Sequence, residues 1–171
     1  SQFEAQVLVE KILQVQKEIK DTQQLIETIS QQFMEYHLLL TIPGFGPYVA
    51  SLVLAVIGDA WRFDSARQVL KMAGFDLSAE RSGKSSKKAV PVISKKGNAA
   101  LRYGVYQAAF IASTRNIDFV EYYTNTLRGR EQERGIKTKM RVKLAAKMLV
   151  MAWTLMKKKE EFNPDYLKNN L

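Results

Sequence analysis

The sequence predicts an all-α protein, with a long N-terminal coiled-coil helix over residues 1–40 and a compact helical domain over 41–171. Three observations carry that expectation. Apolar residues recur at spacings of three and four through the first forty positions, later segments repeat at helical spacing between glycines and prolines, and strand-like alternation is absent. The 171 residues, 46% hydrophobic and 10% aromatic, suffice for one domain with a real core plus an arm. Two large domains and a disordered chain are excluded.

The arm is read from Ala5, Leu8, Ile12, Val15, Ile19, Thr22, Ile26, Ile29, Phe33, Tyr36 and Leu40, an unbroken heptad seam with Gln, Glu and Lys in most other places. No Gly or Pro precedes Pro43, which allows one helix roughly 60 Å long at 1.5 Å per residue. Such a seam is not buried by a lone helix. It predicts a homo-oligomer through the coiled coil, against the alternative of a helix folded back on its own domain. His37, beside the seam and without a carboxylate partner in the pattern, reads as a surface residue. The chain opens on Ser1 already inside the period, which predicts a piece of a longer protein.

Beyond Thr41 the punctuation sets the elements. A Pro43–Pro47 turn leads into an apolar helix over 47–57, and Asp64 is placed to cap a helix 65–73 that Gly74 ends. Helices follow at 98–115, 117–128 and 137–159, the last with Leu144, Met148, Met151 and Leu155 on one face. Met140, Met148, Met151 and Met156 read as core filler, and Gly104 as a site of close helix packing. Residues 81–96, with glycine, serine and proline, read as a loop.

Charge narrows the partners. Of the net +9, residues 1–40 contribute −3, leaving 23 Lys and Arg against 11 Asp and Glu beyond them. Arg81, Lys84, Lys87, Lys88, Lys95, Lys96 and Arg102 lie within 22 residues containing no acid, and Lys137, Lys139, Arg141, Lys143 and Lys147 form a second cluster. Zero cysteines and one histidine exclude disulfides, thiolate zinc sites, cysteine nucleophiles and multi-histidine metal centres. No segment approaches the ~18 apolar residues of a membrane span, and the start lacks a signal-peptide layout. Binding to an anionic membrane needs an amphipathic basic helix, which the 81–96 loop is not. Phosphodiester backbones are the better match, through Coulomb attraction and counterion release.

The segment Leu39-x-x-Ile42-Pro43-Gly44-Phe45-Gly46-x-x-x-Ala50-x-x-Val53-Leu54 resembles a helix-hairpin-helix motif over 39–57. In such a motif Gly44, Phe45 and Gly46 bring backbone N–H groups to a DNA phosphate, while the next helix start adds unpaired donors. A structural turn between two helices carries the same glycines. Contacts of this kind fix position on the backbone and read no sequence.

Five blocks in order, Ile42–Gly46, Ile57-Gly58-Asp59 with Phe63-x-x-Ala66-Arg67, Ala73-Gly74-Phe75, Arg81-Ser82-Gly83-Lys84 and Ile93-Ser94-Lys95-Lys96-Gly97-Asn98-x-x-Leu101-Arg102, resemble the C-terminal transposase domain of bridge-RNA-guided insertion-sequence transposases. The resemblance covers residues 39–110, and more loosely 137–159. It implies a serine nucleophile at Ser82, with Ser85 and Ser86 as competing assignments, and double-stranded DNA and a guide RNA as partners in a bacterial or archaeal cytoplasm. It also implies a Mg²⁺ site in a RuvC-like DEDD domain ahead of the coiled coil, with no cofactor in the present residues. Arg81, Gly83, Lys84, Lys87, Lys88, Lys95, Lys96, Asn98 and Arg102 then read as phosphate contacts. Ser94–Asn98 equally reads as a helix cap, and Arg102 as a partner of Asp76. The competing function is a non-catalytic helix-hairpin-helix module of a repair or recombination protein.

Overall fold

The computed structural model describes residues 1–78 and 92–168. Eight helices occur among them: α1 Gln2–Ser30, α2 Met34–Leu40, α3 Pro47–Ile57, α4 Ala66–Ala73, α5 Ala99–Arg115, α6 Ile117–Leu127, α7 Ile136–Lys158 and α8 Asp165–Lys168. The all-α expectation holds. Two-residue strands β1 (Leu77–Ser78) and β2 (Val92–Ile93) pair antiparallel, Leu77 opposite Ile93 and Ser78 opposite Val92. Alternation read over four or more residues does not find so short a pair.

The helix expected over 1–40 is broken. α1 ends at Ser30, Phe33 turns extended at φ −103°, and α2 starts afresh at Met34. Tyr36 and Leu39, exposed to solvent by 1% and 0%, are thereby turned into the domain core. Burying two such side chains is worth ~1.5–3 kcal/mol each. The few helical hydrogen bonds given up are worth about 0.5–1.5 kcal/mol each in net terms, so packing decides the bend. His37 closes the corner with Nε2 2.9 Å from the Gln31 carbonyl. Most of the seam remains outside: on α1, Leu8, Ile12, Val15, Ile19, Ile26 and Ile29 are all half-exposed or nearly so, and Phe33 at the bend and Leu40 on α2 are exposed as well.

The core gathers around α7, which packs on α5, α6, α4 and α2. Its predicted face of Leu144, Met148, Met151 and Leu155 is buried, and Met156 with it, while Met140 is only half-buried. Trp153 Nε1 donates to the Ala60 carbonyl at 2.8 Å and Lys157 Nζ to the Phe63 carbonyl at 2.9 Å, which fastens the 3₁₀ turn Ala60–Arg62 to α7. Lys159 reaches Glu35 on α2, and that hydrogen bond holds the Glu35 carboxyl below its ordinary range.

Pro47 at the first position and Gly58 beyond the last give α3 the predicted bounds. Gly74 ends α4 in the left-handed region at φ +73°. Asp64 is not the cap expected of it. Ser65 holds that place without a side-chain bond, and Asp64 exchanges hydrogen bonds with the Gln68 side chain instead. Gly104 does admit close packing: a Cβ there would lie 2.9 Å from Leu52 of α3. No helix among the described residues is long and apolar enough to cross a membrane.

Candidate nucleic-acid interface

Two short connections carry the described candidate residues. The first is the turn between α2 and α3. Phe45 is buried in the core and its N–H donates to the Ile42 carbonyl at 3.0 Å, so its ring is not offered to a ligand. Gly44 adopts φ +90°, and a Cβ there would stand 2.3 Å from the Ala108 carbonyl oxygen of α5. Backbone packing against α5 therefore requires this glycine. Gly46 differs: its φ is −96°, a Cβ added to it would meet nothing within 4 Å, and it begins α3 with no side-chain cap. Of the three residues, Gly46 alone combines an open approach with a helix start.

The second connection runs from β2 to α5. Gly97 crosses the end of α4 so closely that a Cβ would lie 2.2 Å from the Met72 carbonyl oxygen and 2.3 Å from the Gly74 nitrogen. Asn98 caps α5, its Oδ1 accepting from the Leu101 N–H at 2.9 Å, while its own N–H donates to the Met72 carbonyl at 2.8 Å. Asn98 rather than Ser94 is the cap. Ser94 instead donates to Asp76 Oδ1 at 2.5 Å. Arg102 Nη1 donates to the Ala73 carbonyl at 2.9 Å, tying α5 to the end of α4. Lys95, at φ +57°, and Lys96 are exposed.

The structure does not merge the two connections. Gly44 meets α5 at Ala108 and Asn98 precedes it at Ala99, roughly 14 Å apart along the axis at 1.5 Å per residue. Arg81, Ser82, Gly83, Lys84, Ser85, Ser86, Lys87 and Lys88 lie outside the described residues. The β1–β2 pair brackets them in sequence, with Ser78 opposite Val92.

Sequence reasoning overlooked the aromatic company of the second basic cluster. The Arg141 guanidinium lies 4.6 Å from the Phe110 ring centroid and 5.2 Å from that of Tyr123, with its Nε buried and unpartnered among the described residues. Lys147 sits 5.4 Å over Tyr122, and burial lowers its pKa. The spacing of Tyr103, Tyr106 and Phe110 along α5 is the signal that could have pointed to an aromatic face.

A family model described as Transposase IS116/IS110/IS902 family matches residues 36–124, just over half of the chain, from α2 into α6. No curated protein matches the chain.

Proposed function

The chain belongs to the IS116/IS110/IS902 transposase family, and on that premise we propose that it supplies the DNA-binding surface and the serine nucleophile for strand exchange. The observation that carries this reading is that the matched span contains both described connections and the acid-free basic segment around Ser82. In the proposed step, Ser82 Oγ forms a bond to the scissile phosphorus and the bond from phosphorus to the 3′ oxygen breaks. The serine proton passes to the departing oxygen, leaving a phosphoseryl–DNA ester and a free 3′-hydroxyl. That hydroxyl reverses the step on the partner strand. A serine hydroxyl is a weak nucleophile, so positioning and charge neutralisation must carry most of the acceleration. Arg81, Lys84, Lys87, Lys88, Lys95 and Lys96 are assigned the neutralising role, and Gly46 at the start of α3 a backbone phosphate.

Among the described residues no three His, Cys, Asp or Glu side chains gather to hold a metal ion. Mg²⁺ is assigned to a RuvC-like domain outside the described residues. Guide-RNA pairing is assigned the reading of target sequence, since the contacts assigned above to Gly46 and the cations meet phosphates, which carry no sequence information.

A salt titration tests the binding half. If the six cations each neutralise one phosphate, log K for a DNA duplex should fall with log salt at a slope of about −5, and Lys95→Ala with Lys96→Ala should flatten it by about 2. Affinity indifferent to salt would remove the reading. The exposed α1 seam is assigned to self-association, which would bring two serine-bearing domains together. Replacing Ile12 and Ile19, both more than half exposed, by Asp should leave the domain folded and convert the oligomer to monomer in sedimentation. A monomeric parent chain would contradict it.

A further inference from the structure

A cleft of about 250 Å³ opens where α5, α7 and the strand pair meet, with walls that include Phe75, Ile93, Arg102, Tyr103, Tyr106 and Val142. Three of these walls are aromatic. Phe75 is a buried floor, Tyr106 is half-buried, and Tyr103 stands at the rim with 64% of its surface exposed. Arg102 is fixed in its wall by the hydrogen bond to the Ala73 carbonyl. No Asp or Glu among the described residues lines the cleft, and Asp76 next to Phe75 is engaged by Ser94. Exposed cations surround it in sequence: Lys95 and Lys96 just before α5, and Lys139 and Lys143 within a turn of Val142 on α7.

Size, shape and charge together select the occupant. Pockets for drug-sized molecules run to ~300–1,000 Å³, so this one suits a single planar ring system. A bare phosphate has no use for three aromatic rings, and an aliphatic side chain has none for a guanidinium wall flanked in sequence by exposed lysines. A nucleobase uses both, since its face stacks on an aromatic ring while its flanking phosphates meet the cations. We propose that this cleft receives one unpaired base of a DNA strand, stacked against Tyr103. The inference rests on the DNA-binding reading above and adds to it that the strand is held with one base out of its helix. Ile93, a wall of the cleft, belongs to the strand pair that brackets the Ser82 segment. A base seated here would hold its own phosphates beside that stem.

The probe is a DNA duplex with one extrahelical 2-aminopurine, compared with the same duplex fully paired, each titrated against the 171-residue chain. The bulged duplex should bind about tenfold tighter, or ~1.4 kcal/mol, and its fluorescence should fall on binding. Tyr103→Ala should lose the tenfold preference and the quenching while still binding paired duplex, and Tyr103→Phe, which keeps the ring, should retain both. Tyr103 is exposed, so thermal melts of the variants should overlay the parent. Equal affinity for the two duplexes without quenching would overturn the cleft assignment and leave the salt-dependent duplex binding standing. Failure to bind either duplex would instead overturn the reading beneath it. An equal or larger gain from the same bulge placed in an RNA duplex would overturn the assignment to DNA.

Discussion

Gly44→Ala is expected to cost about 3 kcal/mol of folding stability, whereas Gly46→Ala two positions later should cost less than about 1. The asymmetry follows from the neighbours of each. At Gly44 the backbone holds φ +90°, which charges an L-residue ~1–2 kcal/mol, and the added methyl meets a backbone carbonyl of α5 at 2.3 Å rather than a side chain able to swing aside. Overpacking of that kind adds about 1–3 kcal/mol. Gly46 lies at φ −96° with open space where its Cβ would go. For a chain of 171 residues the first change should lower Tm by roughly 6–12 °C and the second by no more than ~4 °C. DNA affinity should sort the pair in the opposite sense. A methyl on Gly46 obstructs the assigned phosphate approach, so Gly46→Ala should weaken duplex binding although the domain remains folded.

Ser82→Ala should reduce strand transfer by about 10³-fold or more in a transposase that carries the metal-binding domain, with duplex affinity changed less than about twofold. Removing a hydroxyl takes away the nucleophile and leaves every assigned cation in place. Ser85→Ala and Ser86→Ala should keep most of the activity. If Ser82→Ala transposes normally, the non-catalytic binding module explains the charge and the glycine turn better. If it loses affinity in parallel with activity, the side chain serves binding and the assigned chemistry fails.

Legibility in the sequence followed the range of the forces involved. Pro47, Gly58 and Gly74 act through their own backbone preferences, so α3 and the end of α4 were readable without knowing what packs on them. Asn116, which caps α6 through its side chain, likewise marks the boundary with α5 locally. The bend at residues 31–33 has no such marker. It exists because Tyr36 and Leu39 find a core that includes α3 and the distant α7, and the heptad pattern runs through it unchanged.

The candidate site divides in the same way. Residue types and charge density marked the two connections, but the uses of individual side chains depended on contacts across the fold. Gly44 is explained by Ala108, Arg102 by the carbonyl of Ala73, and within the Ser94–Asn98 segment the cap falls on Asn98. Phe45 satisfied the apolar position of the turn motif because it is a core residue, not because it meets a ligand. The aromatic cleft went unread because Tyr103 and Tyr106 of α5 meet Ile93 of β2, Val142 of α7 and Phe75 beyond α4 only in the folded chain.

Capture of the covalent complex tests the assigned chemistry most directly. The chain, supplied with the metal-bearing domain, Mg²⁺ and duplex DNA, is denatured during turnover, digested with protease and nuclease, and its peptides are sequenced by mass spectrometry. A nucleotide phosphate esterified to the hydroxyl of Ser82 is the expected product. Attachment at Ser85, Ser86 or any tyrosine, or DNA rejoined with no protein-linked species at any time during the reaction, would contradict the nucleophile assignment.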